Sequence, residues 1–83
     1  MHQIEFEAAA RKEFLKLPSQ TQSELIPLIN SLEKEPRPFG SKKLKGAGGY
    51  RVRKADYRIL YTVDDEKQIV RIFRVGHRRE VYR

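Results

Sequence analysis

Near Ser41 the apolar residues of this chain change their spacing, and that change limits the folds open to it. Before it the spacing is helical: Ala10, Phe14 and Leu17 recur at i, i+4 and i+7, and Leu25, Leu28, Ile29 and Leu32 form a second stripe. After it the period is two. Residues 50–54, 57–63 and 68–75 read as three strands joined by short polar turns, with 43–45 as a further short strand. His2, Ile4 and Phe6 alternate with polar neighbours, so a short strand leads the chain. Adjacent strands with short connections pair antiparallel. Helices followed by strands define an α+β class: two N-terminal helices on one face of a small twisted, mainly antiparallel sheet. With 83 residues the expectation is one domain spanning 1–83, burying only about 60% of the surface its unfolded chain exposes.

Prolines mark the helix boundaries. Pro18 ends the first helix, and Ser19 with Gln22 is a capping-box signal for the second. Pro27 sits within the second stripe and predicts a kink or a late helix start there. Pro36 and Pro38 close the segment, and Gly46, Gly48 and Gly49 form a flexible turn without the Gly-Lys-Ser/Thr ending of a phosphate loop.

Charge narrows the function. The chain holds 18 basic and 11 acidic side chains, yet residues 1–36 carry a net −2 and residues 37–83 a net +9. A field polarised in this way points to a polyanion, which in the cytosol usually means nucleic acid. The chain has no cysteine, so disulfides and thiolate metal sites are excluded. His2 and His77 are its only histidines and neither has metal-ligand spacing, so no metal or other cofactor is expected. The first ten residues lack a basic segment followed by an apolar run, and no apolar stretch reaches the roughly 20 residues of a membrane span. The expectation is a cytoplasmic protein with no membrane partner.

The hairpin register follows from a two-residue turn at Ala55-Asp56. Lys54 then faces Tyr57, Arg53 faces Arg58, Val52 faces Ile59, Arg51 faces Leu60 and Tyr50 faces Tyr61. Alternation puts Tyr50, Val52, Ile59 and Tyr61 on the core face and Arg51, Arg53 and Arg58 together on the other. Like charges directly opposite destabilise a sheet. Three guanidinium groups on one face, with no carboxylate among them, therefore call for a bound anion, and their planar forks suit phosphate. If Tyr61 pairs with Val70, Arg71 and Phe73 lie beside Leu60 and Arg58, where Phe73 could stack on a base. Gly76 ends the last strand, and the tail adds His77, Arg78, Arg79, Tyr82 and Arg83.

Taken in order, Leu44-Lys45-Gly46, Tyr50-Arg51-Val52-Arg53, Asp56-Tyr57-Arg58-Ile59-Leu60-Tyr61 and Val75-Gly76-His77-Arg78-Arg79-Glu80-Val81-Tyr82 resemble the RelE/ParE toxin superfamily, with the RelE-type mRNA interferases in particular. The segment 10–17 and the second helix resemble its front half. The resemblance implies the α+β fold above, a toxin held inactive by a cognate antitoxin in a hetero-oligomer, and metal-free cleavage of mRNA in the ribosomal A site. By position, Arg51 and Arg53 match the paired basic residues of the second strand, Arg58 the arginine of the third, Arg78 the basic residue after the last strand and Tyr82 the C-terminal tyrosine. The strand pair is often lysine in the family. Arginine stays protonated at any working pH, so Arg51 and Arg53 are assigned to electrostatic stabilisation and not to proton donation.

Such a site would cut RNA by attack of the 2′-hydroxyl on the adjacent phosphorus, giving a 2′,3′-cyclic phosphate. Arg51, Arg53, Arg58 and Arg78 suit the phosphorane charge. Tyr82, its proton loosened by neighbouring cations, is the candidate base, and His77 or a ribosomal group the acid. Lys43, Lys45, Arg71, Phe73, Arg79 and Arg83 are assigned to RNA binding. Two other readings stay open at this point: a ParE-type poison of DNA gyrase on the same fold, and an RNA-binding toxin relic without catalysis.

Overall fold

The computed structural model describes residues 1–46 and 48–77. Among them the elements run β1 (Gln3–Phe6), α1 (Ala8–Leu15), α2 (Ser19–Ser31), β2 (Lys42–Lys43), β3 (Tyr50–Lys54), β4 (Tyr57–Asp64) and β5 (Ile69–His77). The strands form one sheet in the order β1-β5-β4-β3-β2. β1 is parallel to β5 and every other neighbour pair is antiparallel. The two helices cover one face, as the change of period predicts. Ala10, Leu25, Ile29 and Leu32 from the helical half pack on Val52, Ile59, Tyr61, Val70, Ile72 and Val75 from the sheet.

The helix boundaries differ in detail from expectation. α2 starts at Ser19 and runs through Pro27, so the proline does not delay it. The missing N–H of Pro27 forfeits only one bond of the ladder, which a helix packed along its length tolerates. Ser19 makes no side-chain cap. Gln22 turns back instead, its Nε2 donating to the Leu17 carbonyl at 2.9 Å and the Leu15 carbonyl at 3.3 Å. It thereby satisfies the open carbonyls at the end of α1 and fixes the short connection between the helices.

β5 departs further. Leu60 pairs with Arg74 and Tyr61 with Ile72, which leaves Phe73 as the extra residue of a β-bulge. The Tyr61–Val70 pairing is therefore corrected to Tyr61–Ile72, and the strand continues through Gly76 to His77. β1 accompanies β5 only as far as Ile72, opposite Phe6. Beyond that point α1 lies along the edge, and Glu13 accepts hydrogen bonds from the Val75 N–H at 3.0 Å and Arg74 Nε at 3.1 Å. A helix carboxylate thus closes a strand edge that would otherwise present open donors.

Two contacts anchor the helix-facing side of the hairpin. Tyr61 is fully buried, and its hydroxyl donates to the Pro36 carbonyl at 2.7 Å. Burial pushes its ionisation up to about 12. Arg37 donates to Tyr50 Oη at 2.9 Å and to both oxygens of Asp65, at 2.8 and 3.3 Å. His2 joins the same carboxylate at 3.1 Å. Arg37 foremost, and then His2, hold Asp65 below the usual carboxylate range. Arg37 is thereby committed to a structural clip.

Candidate functional site

The β3–β4 hairpin has the register expected from its turn, from Lys54 opposite Tyr57 to Tyr50 opposite Tyr61. Ala55 adopts a φ of +55°, the left-handed conformation that two-residue hairpin turns require at one or both positions. That conformation favours glycine, so the turn is made at a local cost. Its effect is to bring Arg53 opposite Arg58, with Arg51 diagonal to Arg58, all on the face turned away from the helices. Cross-strand neighbours of this kind hold their Cβ atoms roughly 4.5–5.5 Å apart, and diagonal ones about 7–8 Å.

The three arginines occupy different environments. Arg53 is exposed and Arg51 half-buried. Arg58 is only 7% exposed, yet its Nε and Nη1 are buried without any hydrogen-bond partner. Its strand neighbours are Arg53 on one side and Gly76 on the other, and neither supplies a carboxylate. Buried donors left unsatisfied cost about 1–3 kcal/mol each, more when the group is charged. A guanidinium in that state attracts an anion, and the planar fork of arginine suits phosphate.

β2 adds a cation from the other flank. Lys42 pairs with Arg51 and so shares its face, whereas Lys43 pairs with Tyr50 and lies on the helix-facing side. Lys45 is exposed in the bend that follows β2. The register therefore favours Lys42, which the sequence reading passed over, above Lys43. Arg71 pairs with Thr62, four residues along β4 from Arg58, which is roughly 13 Å along a strand. It is ion-paired with Glu5 at 3.1 Å. Phe73 sits half-buried at the bulge, its ring 3.5 Å from where a Cβ on Gly49 would stand and so over the Thr62 end of the face. Arg71 and Phe73 are thus not beside Arg58, because Tyr61 pairs with Ile72, two residues from Val70, and the bulge at Phe73 adds one more.

His77 pairs with Tyr57, its ring edge-on to the Tyr57 ring at a centroid distance of 5.8 Å. It lines a cavity with Glu13, Lys16 and Leu17 on the helix side of the sheet. The sheet therefore separates His77 from Arg58 and Arg53. Arg78, Arg79, Tyr82 and Arg83 lie outside the described residues.

A five-stranded sheet backed by two helices is the architecture of the RelE toxins. The sequence matches the family profile of the ParE toxin of the type II toxin–antitoxin system, parDE, over residues 4–82. This chain belongs to that family, within the RelE/ParE superfamily of type II toxins. It is 34% identical to the toxin RelG of Mycobacterium tuberculosis, over 96% of this chain and 94% of that protein. It is 33% identical to the mRNA interferase toxin RelE of Escherichia coli, over 95% of this chain and 87% of that one. The fold agrees. The crystal structure of the isolated E. coli RelE toxin superposes with a TM-score of 0.83 at 32% identity, covering 99% of this chain and 92% of that one. The toxin–antitoxin complex RelBE2 of M. tuberculosis does so with 0.81 at 32%, covering 92% and 96%.

Proposed function

We propose that this toxin is a metal-free endoribonuclease that cuts mRNA in the ribosomal A site and so stops translation. The observation that carries the proposal is Arg58: a buried guanidinium whose Nε and Nη1 have no hydrogen-bond partner, opposite Arg53 and diagonal to Arg51, with no carboxylate among its strand neighbours. Arg58 grips the scissile phosphate, and Arg51 and Arg53 stabilise the charge that develops when the 2′-hydroxyl attacks phosphorus. The 2′-oxygen forms the new bond to phosphorus and the 5′-oxygen leaves, giving a 2′,3′-cyclic phosphate and a 5′-hydroxyl. Arg78 joins the cationic set, and Tyr82 takes the 2′-hydroxyl proton. A ribosomal group protonates the leaving oxygen, since His77 faces the helices. The name of the E. coli relative, an mRNA interferase, supports this reaction class.

The partner is a cognate antitoxin in the cytoplasm. Relatives crystallised with theirs, in M. tuberculosis and in Pyrococcus horikoshii, support a hetero-oligomer of toxin and antitoxin. Among the described residues no helix is long and apolar enough to cross a membrane.

The test is purified protein added to ribosomes programmed with a defined mRNA, with the 3′ ends mapped. Cleavage lost in both Arg58→Ala and Tyr82→Phe is the expected result. Double-strand breaks in a gyrase assay without mRNA cleavage would instead favour a ParE-type activity, and inertness in both assays a non-catalytic relic.

A further inference from the structure

We propose that the cleft beside Phe39 is a base-binding subsite for the nucleotide next to the scissile phosphate, an inference that rests on the nuclease reading above. Phe39 is 108% exposed, the most exposed large apolar side chain among the described residues. Its projection is built in. The Ser41 N–H donates to the Pro38 carbonyl at 2.9 Å, closing a four-residue turn with Gly40 at a φ of +94°. Positive φ at the third position is what a type II turn needs, and glycine meets it without strain. Phe39 occupies the second position, at the tip of the turn.

The ring stands at a cleft of about 320 Å³ whose other walls include Pro38 and Leu28 and, on the cationic side, Lys42, Arg51 and Arg53. No carboxylate lines it among the described residues. An apolar slot walled by cations suits a single-stranded nucleotide, whose base stacks on an aromatic ring while its phosphate meets lysine or arginine. An apolar helix of a protein partner would leave Lys42 and Arg53 without a counter-charge in the same space. Arg51 and Arg53 belong both to this cleft and to the phosphate-binding face. A base seated on Phe39 therefore shares Arg51 and Arg53 with the phosphate held at Arg58. β2 pairs only with Tyr50 and Arg51, so the edge of β3 from Val52 onward is left uncovered by β2 on the side where the base enters.

Two measurements on the full chain decide it. The first is cleavage on programmed ribosomes by wild type, Phe39→Ala, Phe39→Tyr and Arg58→Ala. The second is fluorescence of a 2′-O-methyl RNA hexamer carrying 2-aminopurine at each position in turn. Phe39→Ala is expected to lower cleavage or hexamer affinity about tenfold or more and to abolish quenching at one position, with Phe39→Tyr retaining both. Phe39→Ala indistinguishable from wild type in both arms overturns the subsite; if Arg58→Ala still abolishes cleavage, the nuclease reading survives alone. Phe39-dependent quenching by a protein that never cleaves upholds the subsite and ends the nuclease reading. Phe39→Ala that weakens antitoxin capture and leaves both RNA readouts unchanged assigns the cleft to the protein partner and overturns the proposal.

Discussion

Replacing Arg58 by methionine should make the free protein more stable while removing its activity. The side chain is 7% exposed and carries two donor nitrogens, Nε and Nη1, with no acceptor. Methionine keeps an unbranched apolar stem of similar reach and withdraws the stranded donors and the charge. Unsatisfied buried donors cost about 1–3 kcal/mol each. Exchanging buried ionic groups for packed apolar ones is often neutral or stabilising by roughly 1–4 kcal/mol. The repulsion from Arg53, directly opposite, disappears as well. Some packing around the guanidinium is lost, so a net gain of about 1–2 kcal/mol is a fair expectation from the unsatisfied-donor cost. For a domain of this size each kcal/mol raises Tm by roughly 4–8 °C. Urea denaturation and calorimetry on purified wild type and Arg58→Met measure it, with ribosome-programmed cleavage in parallel. A variant that unfolds more easily than wild type by 1 kcal/mol or more refutes the reasoning, because it would mean that the guanidinium is held by the fold and not kept for a ligand.

Ala55→Gly should stabilise the hairpin by about 0.5–1 kcal/mol, since Ala55 holds a φ of +55° that an L-residue adopts at a cost of roughly 1–2 kcal/mol while glycine loses part of the gain to chain entropy; the urea midpoint reads it. Gly49→Ala should destabilise by about 1–3 kcal/mol or leave the protein insoluble, because φ is +97° and the new Cβ would stand 2.8 Å from the Tyr61 carbonyl oxygen. Tyr61 ionises at about 12 when folded against 10.0 when free, so its contribution is fully present below pH 10 and is lost as pH rises from there toward 12. Tyr61→Phe should flatten that alkaline limb and cost about 1–3 kcal/mol at neutral pH by stranding the Pro36 carbonyl. Asp65 ionises below its free value of 3.8 when folded, so its contribution is present above that pH and fades as pH falls; Asp65→Asn should remove this acid dependence in pH-stepped denaturation.

How far the fold could be read from the sequence depended on whether a local rule was decisive. The β3–β4 hairpin was legible because a two-residue turn and four bulky core residues admit one register; a slip by one would have turned Val52, Ile59 and Tyr61 to the open face. The same register brings Arg51, Arg53 and Arg58 together on one face. β5 is less legible, because the loop before it sets a register two residues from the expected one and a bulge then interrupts its alternation. Its trace lies in Ile72-Phe73, two adjacent apolar residues followed by Val75, where the inward parity moves from even to odd numbers. That single inserted residue carries Val75 and His77 to the helix-facing side, while the two-residue difference in register ahead of it leaves Arg71 opposite Thr62, away from Arg58. The preference for Lys42 over Lys43 hung on a two-residue strand whose register is set by the loop after it, which has no periodicity to read. Glu13 was beyond reach, since its task of capping the edge of β5 exists only once α1 is docked there. Phe39 carried a signal that was not used: an aromatic between proline and glycine, at the tip position of a turn.

The central claim is that the unpartnered donors of Arg58 receive a phosphodiester. Nitrogen–proton correlation spectra of the arginine side chains, recorded while a 2′-O-methyl RNA hexamer is added, address it directly in a protein of 9.8 kDa. The account predicts that the Arg58 Nε–Hε signal sharpens and moves downfield as the phosphate binds, and that Arg51 and Arg53 move with it. RNA that binds while the Arg58 signal stays where it was, with shifts confined to other arginines, would contradict it.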